Sequence, residues 1–90
     1  MKARVAIDVM LKEGILDPQG KTVEESLPSL GFDGVSGVRI GKHITLEVEA
    51  PSHEELARRI EEMSRRFLSN PVIEEFTYRI DDGRIEDGSA

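Results

Sequence analysis

The 90-residue chain reads as a two-layer α+β sandwich in the order β-α-β-β-α-β, with an antiparallel sheet carrying two helices on one face. Three observations predict this. Apolar and polar residues alternate over 3–11, over 38–50 and over 72–80, the period of half-buried strands. Between these stretches stand helix-start signals followed by apolar residues spaced three and four apart. The length is enough for one small domain and too short for two. That domain is expected over residues 1–80, with 81–90 as a polar, acidic, disordered tail.

In the first strand Val5, Ile7, Val9 and Leu11 share a face, and Arg4, Asp8 and Lys12 point mainly the other way. After a turn at Glu13-Gly14-Ile15-Leu16, Asp17 offers an N-cap and Pro18 the first helical position, where a missing N–H is harmless. Thr22 with Glu25 is a second start signal of capping-box type. One helix is expected over 18–30, with Val23, Leu27 and Leu30 as its apolar stripe, a kink at Pro28 and a stop at Gly31. Residues 31–37 hold three glycines and read as a loop anchored in the core by Phe32.

Alternation resumes with Val38 and Ile40, then Ile44, Leu46 and Val48, and Gly41-Lys42 between them suggests a tight hairpin. One long bent strand fits the same letters. The second helix opens on a capping box, Ser52 with Glu55, and carries Leu56, Ile60, Met63 and Phe67 as its stripe. Opposite lie Glu54–Arg58, Glu55–Arg59, Glu61–Arg65 and Glu62–Arg66, each with the acid four residues before the base, the more favourable orientation. Asn70-Pro71 ends that helix, and the last strand follows with Phe76, Tyr78 and Ile80 on one face.

Composition narrows the chemistry. There are 12 Lys and Arg against 18 Asp and Glu, a net charge of −6, which argues against non-specific nucleic-acid binding and against anionic membranes. Much of that charge is local: residues 74–90 hold six acids and two bases. No cysteine is present, so thiolate metal sites and thiol nucleophiles are excluded. No apolar run exceeds three residues, and Asp8 interrupts what would be a signal peptide's apolar stretch; the chain reads as soluble and unexported.

His43 and His53 lack a third ligand at metal-like spacing and read as surface residues. No Gly-x-Ser-x-Gly elbow occurs. The stretch Gly37-Val38-Arg39-Ile40-Gly41-Lys42-His43 fails as a phosphate loop: three residues separate the glycines where four are needed, and His follows the Lys. The carboxylates of the second helix face arginines on a solvated surface, which is solubility, not acid–base machinery. No aromatic residue stands among the outward sheet positions, against a base-stacking surface. Such a chain reads as a part of something larger. The edges of a small sheet are places where another copy or a partner adds.

Three stretches then become specific: Leu16-Asp17-Pro18-Gln19-Gly20, Val38-Arg39-Ile40-Gly41-Lys42 and Asn70-Pro71-Val72-Ile73-Glu74. In this order, in a chain of this length, they closely resemble the PurS family, the small subunits of phosphoribosylformylglycinamidine (FGAM) synthase. The resemblance runs from about Val5 to Tyr78; Pro28 and the acidic tail stand outside it. It implies a cytoplasmic, non-catalytic adaptor in de novo purine biosynthesis, with no active site, cofactor or metal of its own. Its partners would be an ATP- and Mg-dependent synthetase subunit, a glutaminase subunit and further copies of itself, as a homodimer or dimer of dimers, with no nucleic acid and no membrane. Ammonia released from glutamine would pass to formylglycinamide ribonucleotide across the assembly. The absence of cysteine agrees, since a glutaminase of this class needs a cysteine nucleophile. A core this small also cannot enclose ATP and a ribonucleotide.

Under this resemblance Asp17, Pro18, Gln19 and Gly20, with Arg39, Gly41 and Lys42, are the candidate partner-interface residues, and Asn70 and Pro71 are structural. On the residues alone an alternative stays open, a small-molecule-binding dimeric regulatory module of ferredoxin-like plan. Titrating amino acids against melting temperature separates the two.

Overall fold

A computed structural model describes residues 1–81 of the chain. The strands are β1 (Lys2–Leu11), β2 (Lys42–Glu49) and β3 (Glu74–Asp81), and the helices are α1 (Pro18–Ser26) and α2 (His53–Met63). The sheet order is β2-β1-β3 with both pairings antiparallel, so the first strand in sequence is the central one. The α+β class, the antiparallel sheet and the two helices are those the alternation and cap signals predict.

Register sets the core. Val5 lies opposite Leu46 on one side and Ile80 on the other, and Ile7 lies between Ile44 and Tyr78. Side chains on matched positions share a face. Ala3, Val5, Ile7 and Val9 are therefore gathered on one side of β1, where Leu56 and Ile60 of α2 cover them completely. The flanking Ile44, Leu46 and Val48 of β2 and Phe76, Tyr78 and Ile80 of β3 pack against this cluster but stay half-buried. One helix cannot cover three strands.

Several particulars depart from the sequence reading. The described residues form three strands, not four: Val38–Ile40, expected as the first arm of a hairpin, lies outside any ladder. Its amides have other acceptors. Val38 N–H donates to Glu24 Oε1 at 3.2 Å and Ile40 N–H to Asp17 Oδ2 at 2.8 Å. A backbone donor satisfied by a carboxylate has no need of a neighbouring strand.

The first helix ends at Ser26 instead of running to Leu30, because Pro28 cannot donate an amide to the carbonyl of Glu24. A 3-10 turn, Pro28–Leu30, follows, and Gly31 at φ 94° stops it as expected. Thr22 lies inside α1 and starts nothing. Val23, Leu30 and Phe32, expected in the core, are all exposed, and α1 adds no side chain to the core cluster.

In α2, Ser52 caps as predicted, its hydroxyl accepting from Glu55 N–H at 3.2 Å. The helix then widens into a π-turn over Ser64–Leu68. The wider turn rotates every later side chain, so Ser64 and Leu68 face the core and Phe67, expected in the stripe, stands 85% exposed. The carboxylate of Glu55 takes both Arg58 and Arg59, Glu62 takes Arg66, and Glu61 accepts the Tyr78 hydroxyl at 2.7 Å.

Asn70 stops the chain before β3. Its carbonyl accepts the amides of Ile73 and Glu74, and its side chain accepts that of Val72. Val72 is thereby turned outward, and β3 opens at Glu74, two residues later than the alternation suggests. Asp81 closes β3; the rest of the expected tail, 82–90, lies outside the described residues.

Candidate functional site

The two stretches singled out at 16–20 and 38–42 meet in space, with Asp17 at the centre. Pro18 occupies the first turn of α1, which leaves Asp17 as the N-cap with its Oδ1 accepting Gly20 N–H at 2.8 Å. The other oxygen reaches across 23 positions of chain to Ile40 N–H, also at 2.8 Å. Arg39 approaches the same oxygen at 3.7 Å through Nε. With the Asp17 side chain only 9% exposed, these donors hold its carboxyl below the ordinary value, first the Gly20 amide, then the Ile40 amide, against partial burial.

Gly20 is what lets the segments touch. A Cβ there would run into the carbonyl oxygen of Val38 and come within 2.7 Å of Asp17 Oδ2. Gly41 has a matching role on the other side. A Cβ there would strike Met10 Sδ and stand 2.5 Å from the Val9 carbonyl. Neither glycine has a positive φ; both are required by close approach.

The cations tie the site to the sheet. Arg39 Nη2 donates to the carbonyl of Leu11 at 2.6 Å, at the end of β1, and Lys42 Nζ to that of Leu68 at 3.4 Å, at the end of the π-turn. Pro18 and Gln19 are exposed beside them. A cavity of about 320 Å³ opens here, walled by Val9, Leu11, Ile40 and Gly41 on its apolar side and by Asp17 and Lys42 on its polar side. All seven predicted interface residues are thus in one place. Asn70 and Pro71 lie apart from the cluster, in the turn before β3.

Sequence reasoning missed Glu24, whose carboxylate holds Val38, and missed the Leu11 and Leu68 carbonyls. The first could have been suspected from its position one turn after Gly20; backbone acceptors leave no mark in a sequence. His43, read as a plain surface residue, pairs on the open sheet face with Asp8 at 2.6 Å, its cross-strand neighbour. Among the described residues no three His, Cys, Asp or Glu side chains are grouped as a metal site would require. No described helix is long and apolar enough to cross a membrane.

Apart from exposed Gln19, the polar groups named at the site join one stretch of main chain to another. That arrangement shapes one surface of a small α+β module whose sheet is only half covered. The model of the family "PurS: Phosphoribosylformylglycinamidine (FGAM) synthase" matches residues 4–82, and the chain belongs to that family. It is 43% identical over 74 residues to the PurS subunit of phosphoribosylformylglycinamidine synthase from Synechocystis, covering 82% of this chain and 74% of that protein. It is 39% identical over 79 residues to the same subunit of Bacillus subtilis, covering 88% and 93%. Among solved structures, Bacillus subtilis PurS in a C2 crystal form superposes with a TM-score of 0.81 at 39% identity, over 91% of this chain and all of that one. A chain of the PurLQS structure from Thermotoga maritima gives 0.81 at 35% identity, over 89% and 98%.

Proposed function

We propose that this chain is the non-catalytic adaptor subunit of an FGAM synthase in de novo purine biosynthesis, bridging the glutaminase and the ATP-dependent synthetase subunits. The observation that carries this is its likeness, over nearly its whole described length, to a chain of the PurLQS structure. ATP and Mg belong to the synthetase partner. The chain itself works in the cytoplasm as a homodimer or dimer of dimers.

The chemistry explains the need for a bridge. Ammonia freed in bulk water at neutral pH is protonated and loses the lone pair that must displace the activated formamide oxygen. A closed path between the two active sites keeps it nucleophilic. Within the adaptor, exposed Pro18 and Gln19 present the docking edge, and Asp17, Gly20, Arg39, Gly41 and Lys42 hold its shape through the bonds described above.

Reconstitution with purified glutaminase and synthetase subunits tests the reading. Glutamine-dependent FGAM formation should require this chain, and ammonia-dependent formation should proceed largely without it. Glutamine-dependent turnover that survives omission of the chain would remove the adaptor role. Gln19→Ala should lower glutamine-dependent turnover and leave the melting temperature nearly unchanged, since Gln19 is exposed.

A further inference from the structure

The inward rows of the two outer strands each end in a charge. On β2 the half-buried Ile44, Leu46 and Val48 pack against the core, and the remaining position of that row is Lys42. On β3 the row of Phe76, Tyr78 and Ile80 begins at Glu74. In register Lys42 lies opposite Val9 and Glu74 opposite Leu11, so a cation and a carboxylate flank the end of β1 on its apolar face. Two strand spacings, roughly 10 Å, separate the strands that carry them. Alternation alone would place an apolar side chain at both positions.

The cavity of about 320 Å³ lies between them. Val9, Leu11 and Ile40 are its apolar walls, and Lys42 and Glu74 both line it. Among the described residues neither has an ion-pair partner. Lys42 Nζ donates to the Leu68 carbonyl at 3.4 Å, one acceptor for an ammonium with three donors. Glu74 Oε1 accepts the Asn70 amide at 2.7 Å, a neutral donor that leaves the carboxylate its charge. Asp17, the other acid of the lining, differs in that two amides and Arg39 already hold it. The cavity thus offers one cation and one anion, each without a counter-charge, across an apolar floor.

From this we infer that the cavity binds a free α-amino acid with an uncharged side chain, its carboxylate on Lys42, its ammonium on Glu74 and its side chain against Val9, Leu11 and Ile40. A zwitterion answers both charges at once. A phosphorylated ligand would set several negative charges against Glu74 and Asp17 with Lys42 to meet them, and a charged side chain would be left against apolar walls. The volume is at the small end of ligand cavities, roughly 300–1,000 Å³, which suits a molecule of this size. The inference goes beyond the adaptor reading and does not depend on it. An amino-acid site and a docking edge can share one end of a chain, so the small-molecule binding left open by the sequence becomes an addition to the adaptor, not its rival.

Calorimetric titration of the full chain with leucine and with glutamine, alongside amide chemical shifts in NMR, tests the site. The wild type should bind both and prefer leucine about tenfold or more over N-acetylleucine and over leucinamide, each of which lacks one of the two charges. The amides of Leu11, Gly41 and Lys42 should shift. Lys42→Gln and Glu74→Gln keep a hydrogen-bonding group and drop the charge. With circular dichroism confirming the fold, each should bind leucine about tenfold more weakly or worse. Glu74→Gln should leave the affinity for N-acetylleucine unchanged, which a collapsed cavity would not. The capped compounds need no variant, so the inference stays testable if a substitution unfolds the chain. Failure of the wild type to bind either amino acid at millimolar concentration overturns it. So do shifts confined to other parts of the chain, or capped compounds that bind as well as leucine. Reconstituted glutamine-dependent turnover is a separate measurement and decides the adaptor reading whichever way the titration falls.

Discussion

Asp17 and Ile40 stand 23 positions apart in sequence and are joined by a 2.8 Å hydrogen bond from the Ile40 amide to Asp17 Oδ2. The same carboxylate caps α1 through Gly20, so a local device and a tertiary one share a single side chain. The bonds favour the ionised form and hold the carboxyl below its ordinary value of 3.8. A group with a depressed folded pKa contributes stability that is complete above the unfolded value and fades as pH falls through the folded one.

Asp17→Asn should therefore melt several degrees below the wild type at neutral pH. The gap should close as acid protonates the wild-type carboxylate, below the pH at which a free aspartate titrates. Thermal melts of both proteins across the acid range measure this. A gap that stays constant down to the lowest pH would show that the charge of Asp17 adds nothing to its geometry.

Gly20→Ala carries a sign that separates packing from propensity. In an ordinary helix interior the change stabilises by roughly 0.5–1 kcal/mol. Here the added Cβ meets the Val38 carbonyl and Asp17 Oδ2, and main chain cannot swing aside as a side chain can. The expected outcome is a loss of about 1–3 kcal/mol, or roughly 4–8 °C in melting temperature per kcal/mol. Hydrogen exchange at the Val38 and Ile40 amides should speed up in parallel. A more stable Gly20→Ala variant would mean that α1 and residues 38–40 are not held in close contact.

These two positions also show how far a sequence carries a reader. Asp17-Pro18 is a local signal, and local chemistry decides it: cap, first turn and helix start all stand where the letters place them. The hairpin at Gly41 fails because alternation at Val38 and Ile40 reports which side chains are sheltered and says nothing of what their amides bond. Phe67 fails for a similar reason. A stripe drawn at fixed helical spacing assumes a uniform helix, and the extra residue in the turn at Ser64–Leu68 has no composition that announces it. The gathering of the site residues was legible only as order in the chain, because the bonds that gather them span 23 to 28 positions.

Ser64 offers a test of that turn. Its side chain is fully buried, and its hydroxyl has no hydrogen-bond partner, although its carbonyl accepts both the amide and the hydroxyl of Ser69. A buried polar group without a partner costs about 1–3 kcal/mol, and alanine fills nearly the same space with better helix propensity. Ser64→Ala should raise the melting temperature by several degrees while leaving the carbonyl's bonds to Ser69 in place. The substitution should also leave unchanged the hydrogen-exchange protection of the Ser69 amide, which donates to the Ser64 carbonyl. A fall in stability would reveal a partner for the hydroxyl and make Ser64 part of the turn's design.

Tyr78 reports on how α2 is seated over β3. Its hydroxyl donates to Glu61 Oε2 at 2.7 Å, and that bond, ahead of partial burial and the carboxylate's charge, raises the phenol above its ordinary value of 10.0. A raised folded pKa means stability present below the unfolded value and lost as pH climbs through the folded one. Glu61→Gln removes the charged acceptor, so tyrosinate should form at lower pH than in the wild type, closer to the free phenol. The chain has one tyrosine and no tryptophan, and ultraviolet absorbance during an alkaline titration therefore reads this one group. Coincident titration curves for the two proteins would place the Tyr78 hydroxyl in water, and the far end of α2 would then not be fastened to β3 by this bond.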